Sequence, residues 1–428
     1  MDFFTSNYNY DIIIVGGGIS GLFSAYKLSP TYLKILLIES SDILGGRIET
    51  FSKNNIKYDC GASHFHKSHG KLLSLLSELK LEKEILPVSK DITTILRNKS
   101  DNYEYNTKQK LNVFDLLNIT PKDKHQLPDK ILSQITFYQY LILLFDQETA
   151  TFIKDSLGND SIFNYLNADS ALKMFEDDFF KDNNYYTLKN GLSEIIIRLE
   201  SLLNNYDNVT IKKNCSLSEI DSINKTIKSN SGDKFTYDNL ILTIPTNKLK
   251  EINYFKNNTL LDSVKSVKVH RIFAKYPTDN LWFKNIKKTI TDNYLRNIIP
   301  IDYEKGIIML SYTDNLNAEM WNSYGTIGQK FLIKALHKEI QTLFGISPPD
   351  PIFISSHYWE NGTHLWKTGS NMEKIYSQII KPDLTKDIYI VGESFSKKQG
   401  WIEGTLETVY DLLKIINIKG FEFVSSKN

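Results

Sequence analysis

Gly16, Gly18 and Gly21 fall in the pattern G-x-G-x-x-G, and Glu39 follows at roughly the 20-residue distance at which an acid reaches a ribose. Each position has a mechanical reason. Gly16 permits a tight turn, Gly18 lets backbone approach a pyrophosphate, and Gly21 allows a helix to pack closely on a strand. Ser20 lies inside the motif, at a helix start whose N–H groups would face the phosphates. Glu39 would accept the ribose hydroxyls. The pattern means this only if a strand precedes it and a helix follows. Ile12, Ile13, Ile14 and Val15 form the apolar, β-branched run of a buried parallel strand. Leu22 to Leu28 carries helical apolar spacing and stops at Ser29-Pro30, and Ile35 to Ile38 is a second β-rich run ending on Glu39. The parts are in register, so a dinucleotide-binding unit is expected.

Other residues could carry chemistry. His64, His66 and His69 are clustered, and on an extended segment His64 and His66 share a face, as metal ligands would. No carboxylate or cysteine completes a recognisable ligand set, so no metal is expected. Lys268 and His270 lie on one side of a predicted strand, either as a polar pair in a site or as ordinary solvent-facing residues. Near the C-terminus, Gly392-Glu393 follows a strand-like run, and Trp401-Ile402-Glu403-Gly404-Thr405 opens a predicted helix. A helix starting near Ile402 would point free N–H groups and partial positive charge at an anionic group. Trp401 is either a wall of that site or part of the core. The run Phe175-Glu176-Asp177-Asp178-Phe179-Phe180 either attracts a cation or is a solvated helix end.

Positioning these residues takes a large fold. With 428 residues the chain has room for two or three domains. A hydrophobic fraction of 41% and a charged fraction of 24% are those of an ordinary globular protein, and a net charge of +1 gives no reason to expect nucleic acid as a partner. Two cysteines, Cys60 and Cys215, indicate no disulfide framework and favour a reducing compartment. Residues 1–10 lack the pattern of a signal peptide, and no run approaches the roughly 20 apolar residues of a spanning helix. A soluble, cytoplasmic protein without a membrane partner is expected, its oligomeric state open. Residues 112–182 read as mostly helical with breaks at Pro121 and Pro128. Residues 209–211, 240–245, 267–275, 307–312 and 388–391 read as strands, and 329–344 and 404–416 as helices.

Gly45-Gly46-Arg47, just beyond Glu39, adds a signature that nicotinamide dehydrogenases lack. With it the chain resembles the flavin-containing amine oxidase family, where a glycine pair and an arginine follow the ribose-binding glutamate. Gly392-Glu393 and Gly400-Trp401-Ile402-Glu403-Gly404-Thr405 resemble the family's strand-G-E and G-aromatic-x-E-G-A segments. Asp59 to Ala62 resembles its D-x-G-A segment, and Leu217 matches the strand pair that binds adenine. The resemblance implies an α/β fold: a Rossmann-like FAD-binding domain, discontinuous in sequence (residues 8–90, 185–265 and 385–420), interleaved with an α+β substrate domain (residues 91–184 and 266–384). It implies an FAD-dependent oxidoreductase that oxidises an amine's C–N bond by hydride transfer to flavin N5, with O2 as acceptor. Cofactor contacts are implied for Gly46, Arg47, Gly61, Ala62, Ser63, His64, Leu217, Gly392, Trp401, Ile402 and Thr405, and for Glu393 along the ribityl–phosphate chain.

The chain also departs from the family pattern. At the cysteine that carries covalent flavin in some members stands Thr363, so non-covalent FAD is expected. The family's active-site lysine falls on Lys268 or His270. Of the two aromatic residues that sandwich the amine, one falls on Trp401 and the other on His364, a poorer wall that could instead be a polar contact. Two other readings remain open: a flavin-dependent mutase or desaturase of the same fold, and a flavoprotein that has lost catalysis and serves as a binding module.

Overall fold

The computed structural model describes residues 8–96, 127–176, 184–279, 281–416 and 418. Five parallel strands form the centre of a seven-stranded sheet: Tyr8–Val15, Ile35–Ile38, Val209–Lys212, Lys234–Leu242 and Ile388–Ile390. Numbered in chain order they lie 3-2-1-4-5 across the sheet, the order of an open nucleotide-binding sheet. Ile12, Ile13, Ile14 and every residue of Ile35–Ile38 are buried, as strands covered on both faces require. Each such isoleucine or leucine contributes roughly 1.5–3 kcal/mol of burial. Helices Ile19–Leu28, Ser193–Leu203 and Ile402–Ile415 pack together on this sheet's helical layer.

A second, six-stranded sheet runs in the order Phe353–Trp366, Val264–Lys275, Ile307–Asp314, Asn297–Asp302, Lys288–Thr291 and Ile92–Ile95. It is antiparallel except for its last pair. Helices Asn315–Ile327 and Gln329–Phe344 cover one of its faces and bury Trp321, Leu332, Leu336 and Ile340 against it. The opposite face looks into a cavity shared with the first sheet. Within 127–176 the expected helices are present, among them Phe137–Leu144 and Gln147–Leu157. Pro121, most of the acidic-aromatic run from Asp177 onward, and the tail 421–428 lie outside the described residues. Among the described residues no helix is long and apolar enough to cross a membrane.

Candidate active site

A single cavity of about 2050 Å³ opens at the carboxyl ends of the parallel strands, between the two sheets. That is large enough for a dinucleotide and a substrate together, since drug-sized ligands need roughly 300–1,000 Å³. Gly16, Gly18, Ser20, Glu39, Gly46, Arg47, Gly61, Ala62, Ser63, His64, Leu217, Glu393, Trp401, Ile402 and Thr405 all line it. Stretches from both ends of the sequence and from its middle therefore converge on one space. Gly21 and Gly392 lie behind the wall. A Cβ on Gly21 would sit 1.9 Å from the Gly16 carbonyl oxygen, so its place is the helix–strand contact, not the lining.

The glycine turn is shaped for a ligand. Gly18 has an ordinary φ of −73°, and the nearest atom to a Cβ built on it is the Gly45 carbonyl oxygen at 4.0 Å. No protein atom needs the missing side chain; the open space is the cavity. The helix that follows has no side-chain cap and no acid in its first turn, so its orphan N–H groups are left to a ligand. Glu39 accepts hydrogen bonds from the Gly17 N–H (2.6 Å) and the Ser41 N–H (2.8 Å), which fix its carboxylate at the cavity edge.

Helix Ile402–Ile415 also opens on the cavity without a side-chain cap. The acid in its first turn is occupied elsewhere. Glu403 accepts from the Lys71 and Leu72 N–H groups, both at 2.9 Å, and so caps the separate helix Gly70–Glu78. Ile402 and Thr405 keep their faces to the cavity. Two uncapped helix N-termini thus open on one space, an arrangement suited to a ligand carrying negative charge at two places.

Glu393 is the knot between these parts. One carboxylate oxygen accepts from the Thr363 hydroxyl and from the His364 and Gly400 N–H groups, each at 2.9 Å. The other meets the Arg47 guanidinium at 2.7 Å and His364 Nδ1 at 2.7 Å. Burial raises its proton affinity, but the Arg47 charge and then the His364 ring outweigh that and hold the carboxyl well below the ordinary range. With its acceptor sites filled, Glu393 acts as a fastener for Arg47 at the cavity wall.

Three expectations are corrected. His364 is completely buried, its ring held by Glu393 and Ser394, and it does not line the cavity. It forms no wall opposite Trp401. Lys268 and His270 point away from the cavity. Lys268 pairs with Glu319 on the covering helix, and His270 Nε2 meets the Ser356 hydroxyl at 2.6 Å. Burial, with the charge of His357 adding, pushes the His270 imidazole down to about 4. The strand instead presents Val269, Arg271 and Phe273 to the cavity. Lys268→Ala is accordingly expected to leave flavin content and turnover unchanged. Because the ion pair is half-exposed, stability should change by less than about 1 kcal/mol in a denaturant titration.

Trp401 does line the cavity, stacked on Tyr185 at a centroid distance of 6.1 Å, with the His64 ring edge-on to both. Tyr185, Trp359, Arg271 and Lys288 also face this space and were not singled out by sequence; Thr363, singled out for the cofactor's attachment, faces it too. Only the i, i+2 alternation with Val269 could have pointed to Arg271. His66 and His69 are wholly buried, with His66 Nδ1 2.8 Å from the Ser68 hydroxyl and the His66 N–H directed at His69 Nδ1. Among the described residues no three His, Cys, Asp or Glu side chains gather as a metal-ligand set.

A family model described as flavin containing amine oxidoreductase matches residues 19–408. The chain belongs to that family. An uncharacterised protein of Acanthamoeba polyphaga mimivirus is 24% identical over 477 residues, covering 94% of this chain and 93% of its own. Aplysianin-A of Aplysia kurodai is 23% identical over 513 residues, covering 94% and 89%. A solved structure of a putrescine oxidase variant superposes with a TM-score of 0.75 at 16% identity, covering 95% of this chain and 98% of that one. The protein is therefore a flavin-dependent oxidoreductase with the fold of this amine oxidase family, and a small molecule is its substrate.

Proposed function

We propose that this family member binds FAD without a covalent link and oxidises an amine at its C–N bond, with O2 as electron acceptor. The observation that carries the cofactor reading is the pair of uncapped helix N-termini that open on one cavity, one of them at the open Gly18 turn. The adenosine end would lie along Glu39 and Leu217, the pyrophosphate at Gly18, and the ring near Arg47, Gly61 and Ile402. FAD held there would supply a hydride acceptor for the carbon that bears the amine. The chain's own residues orient the substrate and keep water out: Trp401 and Tyr185 form an aromatic platform, and His64 closes its edge. His64 stays neutral near pH 7, because burial, aided by the charges of Lys288, Arg271 and His69, pushes its pKa down to about 3. The partition into an FAD domain and a substrate domain belongs to this same reading, supported by the way the two sheets divide the strands.

The side chains present support non-covalent attachment. Thr363 spends its hydroxyl on Glu393. Cys60 reaches the cavity wall, but burial pushes its thiol up to about 12, so it is a poor nucleophile. The intact mass of the denatured protein should equal that of the chain alone; a gain equal to FAD would refute non-covalent binding. Anaerobic titration with monoamines, polyamines and amino acids should bleach the flavin absorbance for at least one class. Stoichiometric FAD that no amine reduces would instead favour a binding module without catalysis, and activity only after prior reduction would favour a mutase.

A further inference from the structure

Lys288 is an unusual lysine for the wall of an amine-binding cavity. It lies on strand Lys288–Thr291 of the second sheet and faces the cavity together with Arg271 and His64. The neighbouring lysines of that wall are neutralised: Lys287 pairs with Asp91 at 3.1 Å and Lys305 with Asp302 at 2.6 Å. Among the described residues Lys288 has no carboxylate and no hydrogen-bond acceptor, and burial pulls its pKa below the ordinary lysine range. Arg271 is in a similar position. It donates to the Gly61 carbonyl and lies 4.5 Å from the Tyr312 ring; among the described residues it makes no direct ion pair, the Asp59 carboxylate acts on it only electrostatically, and its buried Nε–H is unpaired. A desolvated cation without a direct counter-ion is costly to keep, by several kcal/mol in general. Both act electrostatically on His64, which stands beside Trp401.

We propose that Lys288 and Arg271 hold a carboxylate of the substrate, so that the substrate class is an amine that also bears a carboxylate, an amino acid, and not a simple amine. This rests on the flavin reading above and narrows it. An ammonium group alone would be repelled from this end of the cavity, whereas a carboxylate supplies the negative charge that Lys288 lacks and a direct partner for Arg271. The aromatic platform of Trp401 and Tyr185 then faces the rest of the molecule.

The test uses the purified flavoprotein and three ring compounds of one shape but different charge: benzoate, benzamide and benzylamine. Each is titrated against the flavin absorbance under argon. Benzoate is expected to perturb the spectrum and saturate, at least tenfold more tightly than either of the others. Lys288→Gln should weaken benzoate about tenfold or more with FAD content unchanged, and Lys288→Arg should restore most of it. Benzylamine binding as tightly as benzoate, or no perturbation by any of the three, overturns the proposal while the flavin colour shows the cofactor reading still standing. Benzoate affinity unchanged in Lys288→Gln overturns it too. Should that variant not fold, the wild-type charge series still decides. A protein that takes up no flavin fails the earlier reading, before any probe is added.

Discussion

Glu393→Ala is expected to lose bound flavin and about 3–5 kcal/mol of stability, read by the absorbance of the purified protein and by denaturant titration. The reason is the number of donors that converge on this one buried carboxylate. Removing it leaves Arg47 without a counter-ion and orphans the His364 and Gly400 N–H groups, each such loss costing roughly 1–3 kcal/mol. Arg47 would also lose its orientation, since its other protein contact is a 3.3 Å bond to the Gly362 carbonyl. Glu393→Gln should fall between, because an amide oxygen can keep the Thr363, His364 and Gly400 donors while its NH2 faces Arg47. Its pH dependence has a definite sign. The folded-state pKa is depressed, so the contribution of the charge is complete above the unfolded value of about 4.3, declines progressively as pH falls below it, and is gone once pH has fallen through the lower folded value. Wild type should therefore keep its full advantage over Glu393→Gln from neutral pH to about 5, and the gap should narrow steadily as pH falls below about 4.3. Unchanged flavin content in Glu393→Ala would contradict the fastening role.

Two glycines of one motif should respond in opposite ways to the same substitution. Gly18→Ala is expected to fold as the wild type does, its apo stability within about 0.5 kcal/mol, because φ is ordinary and no protein atom lies within contact of the new methyl group. The methyl would occupy the space assigned to the pyrophosphate, so FAD affinity should drop at least tenfold, or about 1.4 kcal/mol. Gly21→Ala should cost about 3 kcal/mol or more, because its Cβ would meet the Gly16 carbonyl oxygen at 1.9 Å and the turn would have to open. Thermal unfolding of the apo proteins and equilibrium titration with FAD separate the two effects. FAD bound by Gly18→Ala as tightly as by wild type would mean the ligand lies elsewhere.

The nucleotide-binding half was legible because its signals are local. Unbroken apolar runs such as Ile35–Ile38 admit few readings other than buried strands, and Gln329–Phe344 shows its helical period plainly. The second sheet was harder to read. Phe353–Trp366 is a 14-residue strand of mixed polarity, much of it half-buried, and it shows no clean alternation. The facing of Lys268 and His270 could not be read either. Register shifts lie between Val267 and Val269 on one side of their strand and between Ile272 and Phe273 on the other. A one-residue slip exchanges the two faces of a strand, so placing Lys268 in order along the chain did not place it in the cavity. Glu393 as a fastener was invisible for another reason: its partner Arg47 is 346 residues away. Lys288 sits among other lysines, and only the cavity distinguishes it from Lys287.

The central claim is that this cavity holds FAD without a covalent bond. The most direct measurement is the absorbance spectrum of the purified protein, followed by chromatography of whatever heat denaturation releases. A yellow protein that releases about one FAD per chain is the predicted result. A colourless protein that takes up no FAD on reconstitution would contradict it.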